Sequence, residues 1–307
     1  MRAITYSEFG SADVLELTEQ PDPHIGPDTL LVRVRAASVN PVDWKIRQGY
    51  LEGLIDTELP AIPGWDVAGV VEQVGLDTTE FQVGDEVYGY VRKDTVKGGT
   101  FAELVAAPVR TLAKKPSSLS FEEAAAVPLA GLTAYQAIRR AGVQEGQTVL
   151  VHAAAGGVGA FGVQLAKALG ARVIGTASEG NHDFLRALGA EPVTYGDGLA
   201  DRVRAIAPDG VDVALDFAGG DAVATSAELL ADGGTIASIA DATARTEHGG
   251  HYVWVRPSTE DLDALTALFD AGTLSVEIAQ VFDLADAAAA HRANETGHTR
   301  GKVVVRV

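Results

Sequence analysis

The glycines of one turn give the strongest indication of chemistry in this chain. The segment TVLVHAAAGGVGAFGVQLAKAL places Ala154, Gly156 and Gly159 in a G-x-G-x-x-G spacing, with alanine in the first position. The apolar run before the turn predicts a buried strand, and the run after it predicts a helix. Small residues at this spacing allow a tight turn and a close approach of the backbone to a pyrophosphate. Free N–H groups and the positive dipole end of the helix would hold the phosphates, so this segment predicts a dinucleotide site.

The end of the next predicted strand, ARVIGTAS, bears on which nucleotide binds. NAD sites usually place Asp or Glu about 20 residues past the glycines, where it accepts from the ribose 2′-hydroxyl. This position falls at Ser178. A hydroxyl does not repel a 2′-phosphate and favours NADPH, although the adjacent Glu179 weakens the argument. Arg172, His182 and Arg186 are the nearby basic candidates.

The elements that position these residues show two patterns of predicted secondary structure. Residues 1 to about 115 are predicted to form short strands joined by proline-containing turns, and LLVRVRAASVN alternates as a half-buried strand does. Ser120 and Glu123 have capping-box spacing ahead of a helix. From Thr148 onward strands alternate with helices, which predicts a parallel sheet covered on both faces. Ser258 or Thr259 caps a later helix, and the tail is predicted to form strand, helix and strand.

Composition excludes several classes of function. The chain has 307 residues, a formal net charge of −18 and no cysteine. Disulfides, thiolate metal sites and a cysteine nucleophile are therefore impossible. The acidic balance provides no basic face for nucleic acid or anionic lipid. Because no uncharged apolar run approaches the ~20 residues of a membrane span, and no apolar signal core begins the chain, we expect a soluble cytoplasmic protein with neither nucleic-acid nor membrane partners.

Several motifs carry a resemblance to a known family, in that family's order and across essentially the whole chain. They are SVNPVDWKIRQG, PAIPGWDVAGVVEQVG, FQVGDEVYG, GGTFAELV, GLTAYQAI, GQTVLVHAAAGGVG and GKVVV. The chain resembles the medium-chain dehydrogenase/reductase superfamily, and within it the zinc-independent quinone oxidoreductases of the zeta-crystallin-like branch. The resemblance implies a β-rich GroES-like catalytic domain, residues 1–119 and 263–307, and a Rossmann domain with a doubly wound parallel sheet, residues 120–262. It further implies an NADPH and substrate cleft between the domains, and a homodimer joined near HYVWV.

The resemblance also addresses metal binding. Zinc-dependent members carry a Cys where this chain has Asn40 or its neighbours, and a His-Glu pair where it has Trp65 and Asp66. Their second Cys would fall near Pro128 to Leu129. A catalytic zinc site needs three protein ligands and an open position, so no metal is expected here. The HGGH segment at residues 248–251 is predicted to be a solvated glycine loop.

Candidate site residues follow from the chemistry of hydride transfer. The cofactor performs the difficult step, and hydrogen-bond donors aimed at the acceptor oxygen lower the barrier. Asn40 is the first candidate near the nicotinamide, with a loop-capping role before Pro41 as the alternative. Tyr50 is a candidate donor or proton source, with a surface aromatic as the alternative. Candidate walls of a substrate pocket are Trp44, Trp65, Tyr252 and Trp254. Candidate cofactor contacts at the glycine turn and the end of the second Rossmann strand are Ala155, Gly156, Gly157, Val158, Gly159, Thr176 and Ser178. The resemblance implies further contacts at Asn40, Thr133, Tyr195, Ser238, Ile239 and Ala240, and Ala218 is an additional candidate.

The predicted function is an NADPH-dependent oxidoreductase that transfers a hydride to a quinone without a metal. One alternative is an NADPH-dependent reductase of α,β-unsaturated carbonyls, either a 2-alkenal or an enoyl reductase. Another is a crystallin-like protein that binds NADPH without turnover, since the fold alone does not determine activity. Members of the family often carry Lys after the second Rossmann strand, where this chain has Asn181 and His182. That departure leaves open how strongly NADPH is preferred.

Overall fold

A computed structural model describes all residues, 1–307, and they form two compact units. The split unit comprises Met1–Leu129 and Pro257–Val307, and the inserted unit comprises Ala130–Arg256. The strands are β1 (Arg2–Thr5), β2 (Glu16–Glu19), β3 (Thr29–Val39), β4 (Asp56–Thr57), β5 (Asp66–Val74), β6 (Glu86–Tyr90), β7 (Thr95–Val96), β8 (Leu104–Pro108), β9 (Leu112–Lys114), β10 (Thr148–Val151), β11 (Arg172–Ala177), β12 (Glu191–Thr194), β13 (Val211–Asp216), β14 (Leu230–Ser238), β15 (His251–Tyr252), β16 (Ile278–Asp283) and β17 (Lys302–Arg306). The α-helices are α1 (Pro41–Arg47), α2 (Phe121–Ala125), α3 (Pro128–Ala141), α4 (Gly157–Ala168), α5 (His182–Ala187), α6 (Leu199–Ile206), α7 (Ala222–Ala227), α8 (Thr243–Thr246), α9 (Thr259–Asp270) and α10 (Ala287–Glu295). None of the helices is both long enough and apolar enough to cross a membrane.

The split unit is built on one large sheet with the strand order β16-β17-β3-β5-β6-β9, and β8 also pairs with β3. Strand β3 runs antiparallel to β5, β8 and β17. The predicted alternation of exposed and buried side chains along β3 is visible around Arg33 and Arg35, which are more exposed than their neighbours. Residues 36–39 are all buried. This half of β3 is more buried than predicted because helices α2 and α10 both contact the strand.

The two units meet in the chain at residues 129/130 and 256/257, not at the predicted 119/120 and 262/263. The predicted capping box is present, since the Ser120 hydroxyl accepts from Glu123 N at 3.2 Å and the Glu123 carboxylate accepts from Ser120 N at 2.8 Å. Ser258 caps α9 by accepting from Asp261 N at 3.2 Å. Both helices pack within the split unit, α2 on β3 and β5 and α9 on β9. The predicted boundary at 262/263 was therefore wrong, because it cuts through α9.

The inserted unit contains one sheet with the order β12-β11-β10-β13-β14-β15. All of its pairings are parallel, which confirms the predicted Rossmann-type doubly wound sheet. The chain proceeds from β10 to β11 and β12 on one side, then returns to β13 on the other side of β10. This reversal creates a topological switch point, and ligands of such sheets bind outside the carboxyl ends of the strands there.

Candidate active site

The glycine turn lies at the switch point, between the end of β10 and the start of α4. A Cβ placed on Gly159 would lie 2.1 Å from the carbonyl oxygen of Ala153, whereas one on Gly156 would lie 3.3 Å from the same oxygen. Gly159 therefore allows helix and turn to pack at a distance that no larger residue permits. Ala153 has φ 51°, a left-handed conformation uncommon outside glycine. Thr176 stabilises it, because Ala153 N donates to Thr176 Oγ1 at 3.2 Å.

The first turn of α4 presents backbone donors at this point. Ala160 N bonds to Gly156 O at 3.0 Å, while the amides of the preceding residues lie in the part of a helix that has no intrahelical acceptors. Gly156, Gly157 and Val158 are half-buried, so solvent or a ligand reaches this turn. Unpaired amides at a helix N-terminus bind phosphate groups. The turn therefore fits the diphosphate of a dinucleotide.

The end of β11 carries the position that was expected to distinguish the two nicotinamide nucleotides. Thr176 is buried, and Ser178 and Glu179 are exposed just beyond the strand. His182 begins α5, and its Nε2 lies 3.4 Å from Thr194 Oγ1 at the end of β12. Ser178 and His182 are thus both near the carboxyl ends of neighbouring strands, where the nucleotide is expected.

Two of the basic candidates are engaged with acidic partners. Arg172 is the first residue of β11, and its guanidinium bonds to both carboxylate oxygens of Glu191 at 2.7 and 2.8 Å. Strand β11 runs from Arg172 toward the end at which the nucleotide is expected, so Arg172 lies at the opposite end of the strand from Ser178. Arg186 pairs with Asp183 at 2.6 Å on the exposed side of α5.

Tyr195 follows β12 and is 54% exposed. The loop that carries it is held by Arg202 of α6. Its Nε donates to Thr194 O at 3.0 Å, and its Nη1 donates to Asp197 O at 2.9 Å. The tyrosine ring is therefore open to solvent on a loop whose backbone is fixed.

Asp216, which the sequence reasoning missed, organises the ends of β13 and β14. One carboxylate oxygen accepts from Ala218 N and Gly219 N, each at 2.8 Å. The other accepts from Ser238 Oγ at 2.6 Å, and Ser238 Oγ in turn accepts from Ala240 N at 3.1 Å. The predicted contacts Ala218, Ser238, Ile239 and Ala240 are thereby brought together. An aspartate ending the apolar run VDVALD, just before FAGG, was the available signal.

Three further candidates lie elsewhere in the inserted unit. Thr133 is buried on α3, Tyr252 is half-buried at the end of β15, and Trp254 is 44% exposed just beyond it. Their roles as cofactor or pocket contacts stay predictions.

Asn40 occupies the centre of a buried polar cluster in the split unit. Its backbone N–H donates to the Asp43 carboxylate at 2.7 Å, which begins α1. Its side-chain Nδ2 donates to Asp66 Oδ2 at 2.9 Å, and Lys302 Nζ donates to its Oδ1. The backbone of Asn40 thus begins α1, as the loop-capping alternative expects, and its side chain belongs to the buried cluster. Its role near the nicotinamide stays a prediction.

Asp66 receives the other donors of this cluster. Ser38 Oγ and Leu129 N each donate to it at 2.8 Å, and Lys302 Nζ lies 3.8 Å away. Burial raises the pKa of the Asp66 carboxyl, and the Lys302 ammonium and these donors oppose that effect by favouring the ionised form. Burial lowers the pKa of Lys302, opposed by Asp66 and Asp43. Burial also raises the pKa of Asp43 to about 7.

The cluster contains Asn40, Asp66 and Leu129, at or next to which the resemblance places the ligands of zinc-dependent relatives. Asn40, Asp66 and Leu129 do meet, but they bring an amide, one carboxylate and a backbone N–H. Zinc sites use thiolate, imidazole and carboxylate ligands. A buried ammonium, Lys302, stands among them and repels a cation. The donor set does not fit zinc.

The aromatic candidates of the split unit are dispersed. Trp44 is half-buried, and its Nε1 donates to Asn294 Oδ1 at 3.1 Å. Trp65 is buried and packs edge-on against Tyr90, with ring centroids 5.8 Å apart. Tyr50 is 69% exposed beyond α1. Trp65 thus packs in the interior, while Tyr50 faces solvent, and their roles as pocket wall and donor stay predictions.

Comparison with known proteins agrees with this architecture. Residues 26–117 match a family model described as an alcohol dehydrogenase GroES-like domain, and residues 188–305 match one described as a zinc-binding dehydrogenase. A 2-methylene-furan-3-one reductase of Solanum lycopersicum is 36% identical over 99% of this chain and 79% of its own length. The chloroplastic NADPH-dependent alkenal/one oxidoreductase of Arabidopsis thaliana is 35% identical over the same shares. The solved structure of a quinone oxidoreductase from Coxiella burnetii has a TM-score of 0.89 and 38% identity, covering 100% of this chain and 99% of that one.

Proposed function

This chain belongs to the medium-chain dehydrogenase/reductase superfamily, in its zinc-independent quinone oxidoreductase-like branch, and we propose that it reduces quinones with NADPH without a metal. It is an oxidoreductase that uses a nicotinamide nucleotide. The observation that carries the proposal is the glycine turn at the switch point of the parallel sheet, where Gly159 leaves no room for a side chain. Helix α4 begins there, and the first N–H groups of a helix have no intrahelical acceptor.

The chain's own groups have distinct parts in this chemistry. A bound nicotinamide nucleotide supplies the hydride. The amides of Gly157 and Val158 would hold its diphosphate, and Asp216 fixes the loop of Ser238 beside the same strand ends. As a quinone is reduced, negative charge develops on its oxygen, and a fixed hydrogen-bond donor stabilises that charge. Asn40 is the proposed donor, because its Nδ2 uses one hydrogen for Asp66 and has a second available.

A preference for NADPH over NADH is part of the proposal. Ser178 stands where NAD sites usually carry an acid, and the imidazole of His182 is close to the same strand ends. Ser178→Asp should raise the Kd for NADPH by at least tenfold and lower the Kd for NADH, since a carboxylate repels the 2′-phosphate and accepts from a 2′-hydroxyl. Fluorescence titration with both nucleotides measures this, with Ser178→Ala as the uncharged control. Unchanged ratios of the two Kd values in Ser178→Asp would contradict the assignment.

Reduction of α,β-unsaturated carbonyls is the second candidate. It is favoured by the names of two relatives, a 2-methylene-furan-3-one reductase and an alkenal/one oxidoreductase. The deciding assay follows NADPH absorbance with a panel of quinones and enones. Turnover of quinones supports the proposal, turnover of enones alone replaces it with the second candidate, and NADPH binding without any oxidation supports a non-catalytic role.

A homodimer in the cytoplasm completes the proposal. β15 is an edge strand of the inserted sheet, and Trp254 just beyond it is exposed. An unpaired strand edge beside an exposed aromatic favours pairing with a second copy. Light scattering after size exclusion should give twice the 31.9 kDa chain mass. Trp254→Ser should shift the species toward monomer, and a monomeric wild-type protein would overturn this part.

A further inference from the structure

The side-chain amide of Asn40 is clamped between opposite charges. Its carbonyl oxygen accepts from the Lys302 ammonium, and its Nδ2 donates to the Asp66 carboxylate at 2.9 Å. Hydrogen bonds to ionised groups are stronger than those between neutral groups. A flipped amide would place its NH₂ against the ammonium and its oxygen against the carboxylate. Only one of the two amide orientations is therefore compatible with this cluster.

The clamp formed by Asn40, Asp66 and Lys302 is held in place by strands and shielded from water. Asn40, Asp66 and Lys302 are 1%, 0% and 5% exposed, so water screens their interactions little. Asp66 is the first residue of β5 and Lys302 the first residue of β17, and both strands pair with β3, which ends just before Asn40. Three neighbouring strands of one sheet thus fix the three groups.

Stability is a poor explanation for the charges in this clamp. Withdrawing two ions from water is costly, and a buried ion pair is often no more stable than apolar residues of the same size. Asp66 alone of the two stands at a position where the resemblance places a ligand of zinc-dependent relatives.

We infer that Lys302 and Asp66 are positioning residues: together they hold the Asn40 amide so that its second Nδ2 hydrogen is presented in a single orientation to the developing oxyanion of the acceptor. This inference rests on the proposed function. Removing the clamp leaves Asn40 free to flip, and a flipped amide presents an acceptor in place of a donor. Losing one such donor typically slows an enzyme by about 10²- to 10³-fold, so partial misorientation should slow hydride transfer about 10- to 100-fold.

The test removes both charges together, because deleting one partner leaves the other buried and unpaired. In the variant Lys302→Met/Asp66→Asn, single-turnover oxidation of bound NADPH is followed by stopped-flow absorbance. The expected result is hydride transfer slowed about 10- to 100-fold, with the Kd for NADPH unchanged. The primary isotope effect with NADPH deuterated at C4 should rise, because hydride transfer becomes more fully rate-limiting. A role in stability alone would not change that isotope effect.

A mutant cycle that combines Lys302→Met/Asp66→Asn with Asn40→Ala tests whether Lys302 and Asp66 act through Asn40. In that background the two substitutions should add little further slowing. The control Glu295→Gln removes the partner of buried Arg47, 2.7 Å away, and should lower stability without changing the isotope effect. If the double variant does not fold, Asn40→Asp removes the amide donor and should slow the same step.

Two sets of results separate the inference from the proposed function. Wild-type protein that binds NADPH but reduces no quinone or enone would refute the function. Active wild-type protein with unchanged hydride transfer in Lys302→Met/Asp66→Asn would overturn the inference alone. Equal slowing of the wild-type and Asn40→Ala backgrounds, or a wild-type rate in Asn40→Asp, would also overturn it.

Discussion

Substitution of Gly159 by alanine tests directly whether the glycine turn holds the cofactor. The new Cβ would lie 2.1 Å from Ala153 O and 2.7 Å from Ala154 Cα, both backbone atoms that no side-chain rotation can move away. Ordinary contacts of a Cβ lie at 3.4–4 Å. The turn must therefore move away from α4 by roughly 1 Å to relieve the overlap.

The expected size of the effect follows from this overlap. Overpacking by one methyl group costs about 1–3 kcal/mol. If this strain is relieved by distorting the phosphate-binding turn, the Kd for NADPH rises roughly 5- to 150-fold, at 1.4 kcal/mol for each factor of ten. Calorimetric titration with NADPH measures the Kd, and circular dichroism with thermal unfolding verifies that the variant is folded.

Gly162→Ala is the matched control on the same helix. Its Cβ would lie 2.7 Å from a ring carbon of Phe217, the far end of a side chain that can rotate or shift. We expect a small loss of stability and a Kd within about twofold of wild type. Folded Gly159→Ala protein with wild-type affinity for NADPH would refute the argument that this close approach shapes the cofactor site.

Three further changes test other parts of the molecule. Burial raises the pKa of Asp43 from 3.8 to about 7. The contribution of Asp43 to the free energy of unfolding is therefore complete below pH 4 and is lost as the pH rises through 7. Asp43→Asn should remove up to about 4 kcal/mol of this decline, measured by urea denaturation at a series of pH values. If the free energy of unfolding depends on pH in the same way in wild type and Asp43→Asn, this prediction is contradicted. Incubation with a chelator should leave NADPH oxidation unchanged, and activity lost to the chelator and restored by zinc would disprove the rejection of a metal. Tyr50→Phe should slow enone turnover about tenfold or more with an unchanged NADPH Kd if Tyr50 is a proton source, and an unchanged rate would leave it a surface aromatic.

Local spacing predicted the parts of the protein that depend on neighbouring residues. The glycine turn, the capping box at Ser120 and the α/β alternation from Thr148 onward are all present. Each arises from interactions over a few residues, so a single sequence records it. The domain boundaries were misplaced because α2 and α9 pack on β3, β5 and β9, partners that no local pattern names.

Long-range contacts decided the environment of the charged groups. Asn40 and Lys302 meet although 262 positions separate them, and Ser238 meets Asp216 across 22 positions. A lysine at the start of the apolar run KVVVRV is most simply taken as an exposed strand end, and only the pairing of β17 with β3 places it in the interior. The sequence by itself determined that a glycine turn with dinucleotide spacing exists, because this follows from residue types and short spacings. The missing zinc ligands followed from the family resemblance. Sheet pairing decided which charged group lies beside Asn40. Burying a charge is unfavourable unless it is paired and hydrogen-bonded, and the partners come from distant parts of the chain that only folding brings together.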